Sequence, residues 1–98
     1  MIIRVFRAIV KPGQHNAFEE FLQKTALPLV QSQEAVLTTY VGTPTIYNPD
    51  EFVFISTWRD IEGLKHFSGE QWQEEVVAPE AALLLRESYI YHYESLPS

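Results

Sequence analysis

Trp58 is the residue whose type and place most invite chemistry, because it stands where an alternating apolar segment ends and Asp60 offers to cap a helix. A large ring there walls a flat molecule, and its indole donor can polarise an oxygen; the same ring serves equally as core. His66 falls about one turn further on, and an imidazole that titrates near neutrality suits a general base, although a solvated helix surface is its ordinary fate. Phe6, Phe54, Leu64, Phe67 and Trp72 are the candidate lining of a pocket for a small apolar or aromatic molecule, and ordinary packing also explains them. Arg4 and Arg7 alternate to opposite faces of the first segment. One of them therefore points between layers and needs a carboxylate, a carbonyl or a ligand anion. Tyr89, Tyr91 and Tyr93 share one face of the last segment, as donors to a ligand oxygen or as an aromatic ladder.

His15, His66 and His92 have no i,i+4 or His-x-His spacing, and cysteine is absent, so no metal site, disulfide or thiol nucleophile is expected. There is no Gly-rich phosphate loop and no nucleophile elbow, hence no nucleotide cofactor is expected either. A net charge of −6 repels phosphate backbones and anionic lipid, which argues against nucleic acid and membrane partners. The apolar runs are too short to cross a bilayer, and Met1-Ile2-Ile3-Arg4 enters an alternating segment without a cleavage signal, so a cytoplasmic location is expected.

The elements that must position these residues follow from periodicity. Ile2 to Val10 alternates and stops at Lys11-Pro12-Gly13, giving a strand. From about Gln14, the spacing of Ala17, Phe18, Phe21, Leu22, Thr25 and Leu29 is helical, and Pro28 predicts a kink or an end near Ala26. Ala35 to about Ile46 and Glu51 to Trp58 read as a hairpin turning at Tyr47-Asn48-Pro49-Asp50. A short helix follows Asp60 and breaks at Gly69. Ser68-Gly69-Glu70-Gln71 has capping-box form and predicts a second helical piece carrying Trp72, Val76 and Val77, divided by Pro79 from Ala81 to Leu85. Ser88 to Glu94 is the last strand. The order β-α-β-β-α-β in 98 residues predicts one α+β domain, a four-stranded antiparallel sheet with helices on one face. Phe52 and Phe54 oppose Val53 and Ile55, so both faces are apolar, and the simplest cover for the second face is another copy of the chain, a homodimer whose sheets close into a barrel. A lone molecule shielded by arginines and tyrosine hydroxyls is the alternative.

That order, the step Val10-Lys11-Pro12-Gly13 into an acidic helix, and the stretch Trp58-Arg59-Asp60-Ile61-Glu62-Gly63-Leu64 resemble the antibiotic biosynthesis monooxygenase family. The resemblance implies a ferredoxin-like fold in a dimeric α+β barrel. It also implies one of several activities: cofactor-free oxygenation of polyaromatic quinols, quinol oxidation, haem breakdown or isomerisation of a signalling molecule. The Asn, Trp and His of the haem-degrading branch fall on Phe6, Phe67 and Val77, so that triad is missing. In the quinone-forming branch a cavity Trp matches Trp58, whereas the Tyr six residues later is replaced by Leu64. The resemblance thus implies a cofactor-independent monooxygenase or quinol oxidase in which Trp58 orients a phenolic ring and His66 or a water takes its proton. A non-catalytic small-molecule-binding or stress-response module, and a haem protein ligated by His66 or His92, remain the alternatives.

Overall fold

A computed structural model describes residues 1–74 and 77–97. Four strands, β1 (Ile2–Val10), β2 (Val36–Gly42), β3 (Glu51–Trp58) and β4 (Leu85–Glu94), form one antiparallel sheet in the order β2-β3-β1-β4. This is the expected ferredoxin-like α+β arrangement, and β4 begins three residues earlier than its alternation predicts.

Period-two alternation sorts the side chains. Ile2, Ala8 and Val10 of β1, and Phe52, Phe54, Ser56 and Trp58 of β3, are buried on the face that carries the helices. Phe18, Leu22 and Val30 come down on them from the first helical arm. The odd-numbered residues Ile3, Val5, Arg7, Ile9, Val53 and Ile55 point the other way and stay partly exposed, because nothing in one copy covers them.

The helical arm does not end at Ala26. It runs from α1 (His15–Phe21) through a π-helical segment (Leu22–Ala26) into α2 (Leu27–Gln31), with Pro28 in the first turn of α2. A proline lacks the amide an α-helix needs and crowds the carbonyl four residues earlier; the wider π turn shifts the pairing so that the chain continues.

Asp60 caps α3 (Ile61–Ser68) as expected, accepting a hydrogen bond from the Gly63 amide at 2.8 Å. Gly63 is required by contact rather than by turn geometry: a Cβ on it would run into the side chain of Ala35. Gly69, at φ 85°, ends the helix in a conformation open mainly to glycine.

Among the described residues, the helical piece expected after the Ser68 capping box does not form. The Ser68 hydroxyl is used elsewhere: it donates to the Leu64 carbonyl at 3.0 Å and accepts from Arg4 Nη1 at 3.2 Å. Residues 70–73 make turns instead. Val76 lies outside the described residues, and Pro79 opens the single turn α4 (Pro79–Ala82) at its first position. Among the described residues no helix is long and apolar enough to cross a membrane.

Candidate functional site

Between the helix-bearing face of the sheet and the arm above it lies a cavity of about 210 Å³. Phe6, Phe54 and Trp58 line it from the strands, Phe21 and Leu22 from the arm, and Phe67 from α3. Val77, Ala78 and Ala81 close another side. Arg4, Thr25 and Ser56 are the residues with polar side chains on its wall. An engineered apolar cavity of about 150 Å³ holds benzene, so this one has room for a substituted aromatic ring.

Trp58 is completely buried and stacks on Phe67, with ring centroids 5.3 Å apart and planes 25° apart. Its indole N–H is already engaged, donating to Ser56 Oγ at 2.9 Å. The expected use of that donor on a ligand oxygen is therefore not available in this arrangement; the ring supplies wall, and Ser56 keeps a hydroxyl proton to offer. The signal was present in the sequence, since residues i and i+2 of a strand share a face.

The other candidates divide. Phe6, Phe54 and Phe67 meet Trp58 at the cavity, while Leu64 is fully buried beneath α3 and does not line it. Trp72 is half-buried and meets the His92 ring edge to face at 4.9 Å. His66 is exposed, in a separate depression shared with Glu34, Arg59 and Asp60, so the structure does not bring it to the aromatic cavity. His15 ties the start of α1 to the β2–β3 turn, with Nε2 2.9 Å from Asp50 Oδ1 and 3.0 Å from the Pro49 carbonyl. The three positions that the resemblance assigned to the absent haem triad, Phe6, Phe67 and Val77, all line the one cavity.

Charge is distributed unevenly around it. Arg4, on the cavity wall, lies over the Phe67 ring at 5.9 Å, and burial pushes its pKa below the ordinary guanidinium value. Arg7, on the opposite face, makes a two-point pair with Glu51 at 2.8 and 3.0 Å. That pair raises the Arg7 pKa and lowers that of Glu51. Which arginine enters the layer was the point the alternation left open. Burial, and then the charge of Arg4, lower the His92 pKa. Hydrogen bonding from the Gly63 amide lowers that of Asp60.

A family model described as antibiotic biosynthesis monooxygenase matches residues 1–78. No curated protein matches the chain by sequence. Among solved structures, an antibiotic biosynthesis monooxygenase superposes with a TM-score of 0.77 at 17% identity, covering 99% of this chain and 100% of that one. A conserved protein from Methanosarcina mazei gives 0.76 at 22% identity, covering 98% and 94%. A protein of unknown function from Nitrosomonas europaea gives 0.75 at 24% identity, covering 99% and 90%. These likenesses are of fold. With the family model spanning most of the chain and the fold shared from end to end, the chain belongs to the antibiotic biosynthesis monooxygenase family.

Proposed function

We propose that the protein is a cofactor-independent monooxygenase or quinol oxidase acting on a small phenol- or quinol-like molecule held in the cavity beside Trp58, as a homodimer. The observation that carries this reading is the aromatic, nearly apolar cavity inside a chain of this family. An electron-rich phenolate passes an electron to O₂ without help from a metal or flavin, provided that the ring is oriented and water is kept away. The balance closes without an outside reductant. A phenol and O₂ give a quinone and water: one oxygen atom becomes the new ring carbonyl, and the other leaves with the two hydrogens. In the oxidase variant, a quinol gives up two electrons and two protons to O₂, forming quinone and hydrogen peroxide.

Phe54, Phe67 and Trp58 would sandwich and orient the ring, with Phe6 completing the dry wall. His66 stands apart from this cavity, so a water at the cavity mouth is the acceptor we assign to the proton. Homodimer formation would cover the half-exposed Ile3, Val5, Val53 and Ile55 and the tyrosines of β4.

Oxygen uptake with a panel of mono- and bicyclic quinols tests the reading. Uptake at least about ten-fold above autoxidation is expected for the wild-type chain, with loss in Ala26→Phe, where the added ring fills the cavity from the arm. Binding of the same compounds without uptake would favour the non-catalytic binding module instead.

A further inference from the structure

Across β3, β1 and the edge strand β4, Ser56, Arg4 and His92 stand opposite one another in one register row, on the face that carries the helices. The rows on either side are Trp58, Ile2 and Glu94, whose exposed carboxylate is paired with the Met1 amino group at 3.4 Å, and the wholly apolar Phe54, Phe6 and Ile90. A guanidinium at such a place normally has a carboxylate beside it, since an unpaired buried charge is costly. Arg4 has none among the described residues. Its partners there are the Ser68 hydroxyl at 3.2 Å and the face of Phe67. Arg7, three residues along the same strand, has its acid in place, so the chain supplies a partner where neutralisation is all that is needed.

Two neighbours in the row carry unused hydrogen-bonding capacity. Ser56 Oγ accepts from Trp58, which leaves its own proton free to donate. His92 Nε2 is buried and without a partner among the described residues. Burial and the Arg4 charge favour the neutral imidazole, so His92 adds no second positive charge, and a single negative charge would balance the row.

We propose that Arg4 and Ser56, the two members of the row that line the cavity, form an anion subsite, and that the cavity's ligand is a small aromatic molecule carrying one acidic oxygen, which Arg4 holds as the anion while Phe54, Phe67 and Trp58 hold the ring. The inference rests on the reading that the cavity takes a small aromatic molecule, and adds to it the ionic state in which that molecule is bound. Arg4 is then a binding residue that shifts a phenol toward phenolate, which would let water suffice as the proton acceptor.

The test uses the intact protein with 4-nitrophenol, whose ionisation is visible in its absorbance, and with 4-nitroanisole, which cannot ionise. For the wild-type chain, we expect both probes to bind and the acid constant of bound 4-nitrophenol to rise at least about ten-fold. In Arg4→Met, the rise should disappear while 4-nitroanisole still binds, and Arg4→Lys should keep part of it. Binding of both probes with no change in ionisation would overturn the anion subsite and leave the aromatic cavity standing. Failure of both to bind wild-type protein would overturn the cavity reading together with the subsite. A rise that persists in folded Arg4→Met protein would remove Arg4 from the role.

Discussion

The two faces of the sheet are built from the same strands by alternate residues, and they treat the same kinds of side chain in opposite ways. On the helix-bearing face, among the described residues, Arg4 has no acid, Ser56 is hydrogen-bonded to the neighbouring indole, and most of the surroundings are aromatic or aliphatic. On the open face, Arg7 is paired with Glu51 and lies over Tyr89 at 5.2 Å, while Thr57 and Thr38 share a 2.6 Å hydrogen bond. The open face also carries a stacked Tyr89–Tyr91 pair, with centroids 6.4 Å apart and planes 6° apart. The arginine of the open face is thus neutralised within that face. The helix-bearing face keeps unspent polarity around a void, which is the feature the proposed ligand would use.

The largest effect should come from a charge placed on either side of one strand. Ala8 is fully buried under the helices, and Ala8→Glu should unfold the chain, a loss of roughly 4 kcal/mol or more. Val5, on the open face, is only partly buried in a single copy. Val5→Glu should leave the circular dichroism of a folded chain while weakening self-association by about a hundred-fold, read by sedimentation. Should Val5→Glu protein sediment as the wild type does, the open face is not where two copies meet.

A smaller effect separates Ser56 from its neighbour Thr57. Removing the buried acceptor in Ser56→Ala leaves the Trp58 indole N–H unsatisfied and should cost about 1–3 kcal/mol, a fall in Tm of about 4–8 °C for each kcal/mol. Thr57→Val, on the open face, should change stability by no more than about 0.5 kcal/mol. Combining Ser56→Ala with Trp58→Phe should cost less than the sum of the two, because the second change removes the orphaned donor. Additive losses in that cycle would mean that the Ser56–Trp58 bond contributes nothing of its own.

Much of this division was legible in the sequence, because a period of two is hard to disguise: Phe52 and Phe54 against Val53 and Ile55 mark both faces by their alternation alone. Asp60 as a cap was equally plain, since a short acid before an apolar helical run has few other uses. The π-helical segment was not legible, because Pro28 announces only that an α-helix cannot pass unchanged, not which adjustment will carry the chain through. The Ser68 box misled because its hydroxyl is claimed by Leu64 and Arg4, one of them 64 residues away, and local pattern carries no information about distant competitors. His66 is near Trp58 in sequence, but a helix that buries Leu64 turns a residue two positions on away from the same face. Ser56–Arg4–His92 could not be read at all, since the row exists only once the registers of three strands are fixed.

The smallest expected effect concerns His92, whose environment on the helix-bearing face differs most from that of its exposed neighbours Tyr91 and Tyr93. In the unfolded chain, its imidazole takes a proton near its ordinary value of 6.5; in the folded chain, burial first and the Arg4 charge second hold the pKa lower. Between those two values the unfolded state binds more protons than the folded one, so stability must fall as pH drops below about 7 and level off beneath the folded value. Glu51 and Asp60, whose folded pKa values are also lowered, lose their contributions only from around their ordinary values of 4.5 and 3.8 downward. A Tm series from pH 7.5 to pH 5.5 stays above the range of both carboxylates, and the difference between wild-type and His92→Gln protein across it reads this histidine. His92→Gln should flatten the slope, and Arg4→Met should reduce it without removing it, since burial remains. Parallel curves for wild-type and His92→Gln protein would show an imidazole whose proton affinity folding leaves unchanged, and would remove the burial and the Arg4 charge as influences on it.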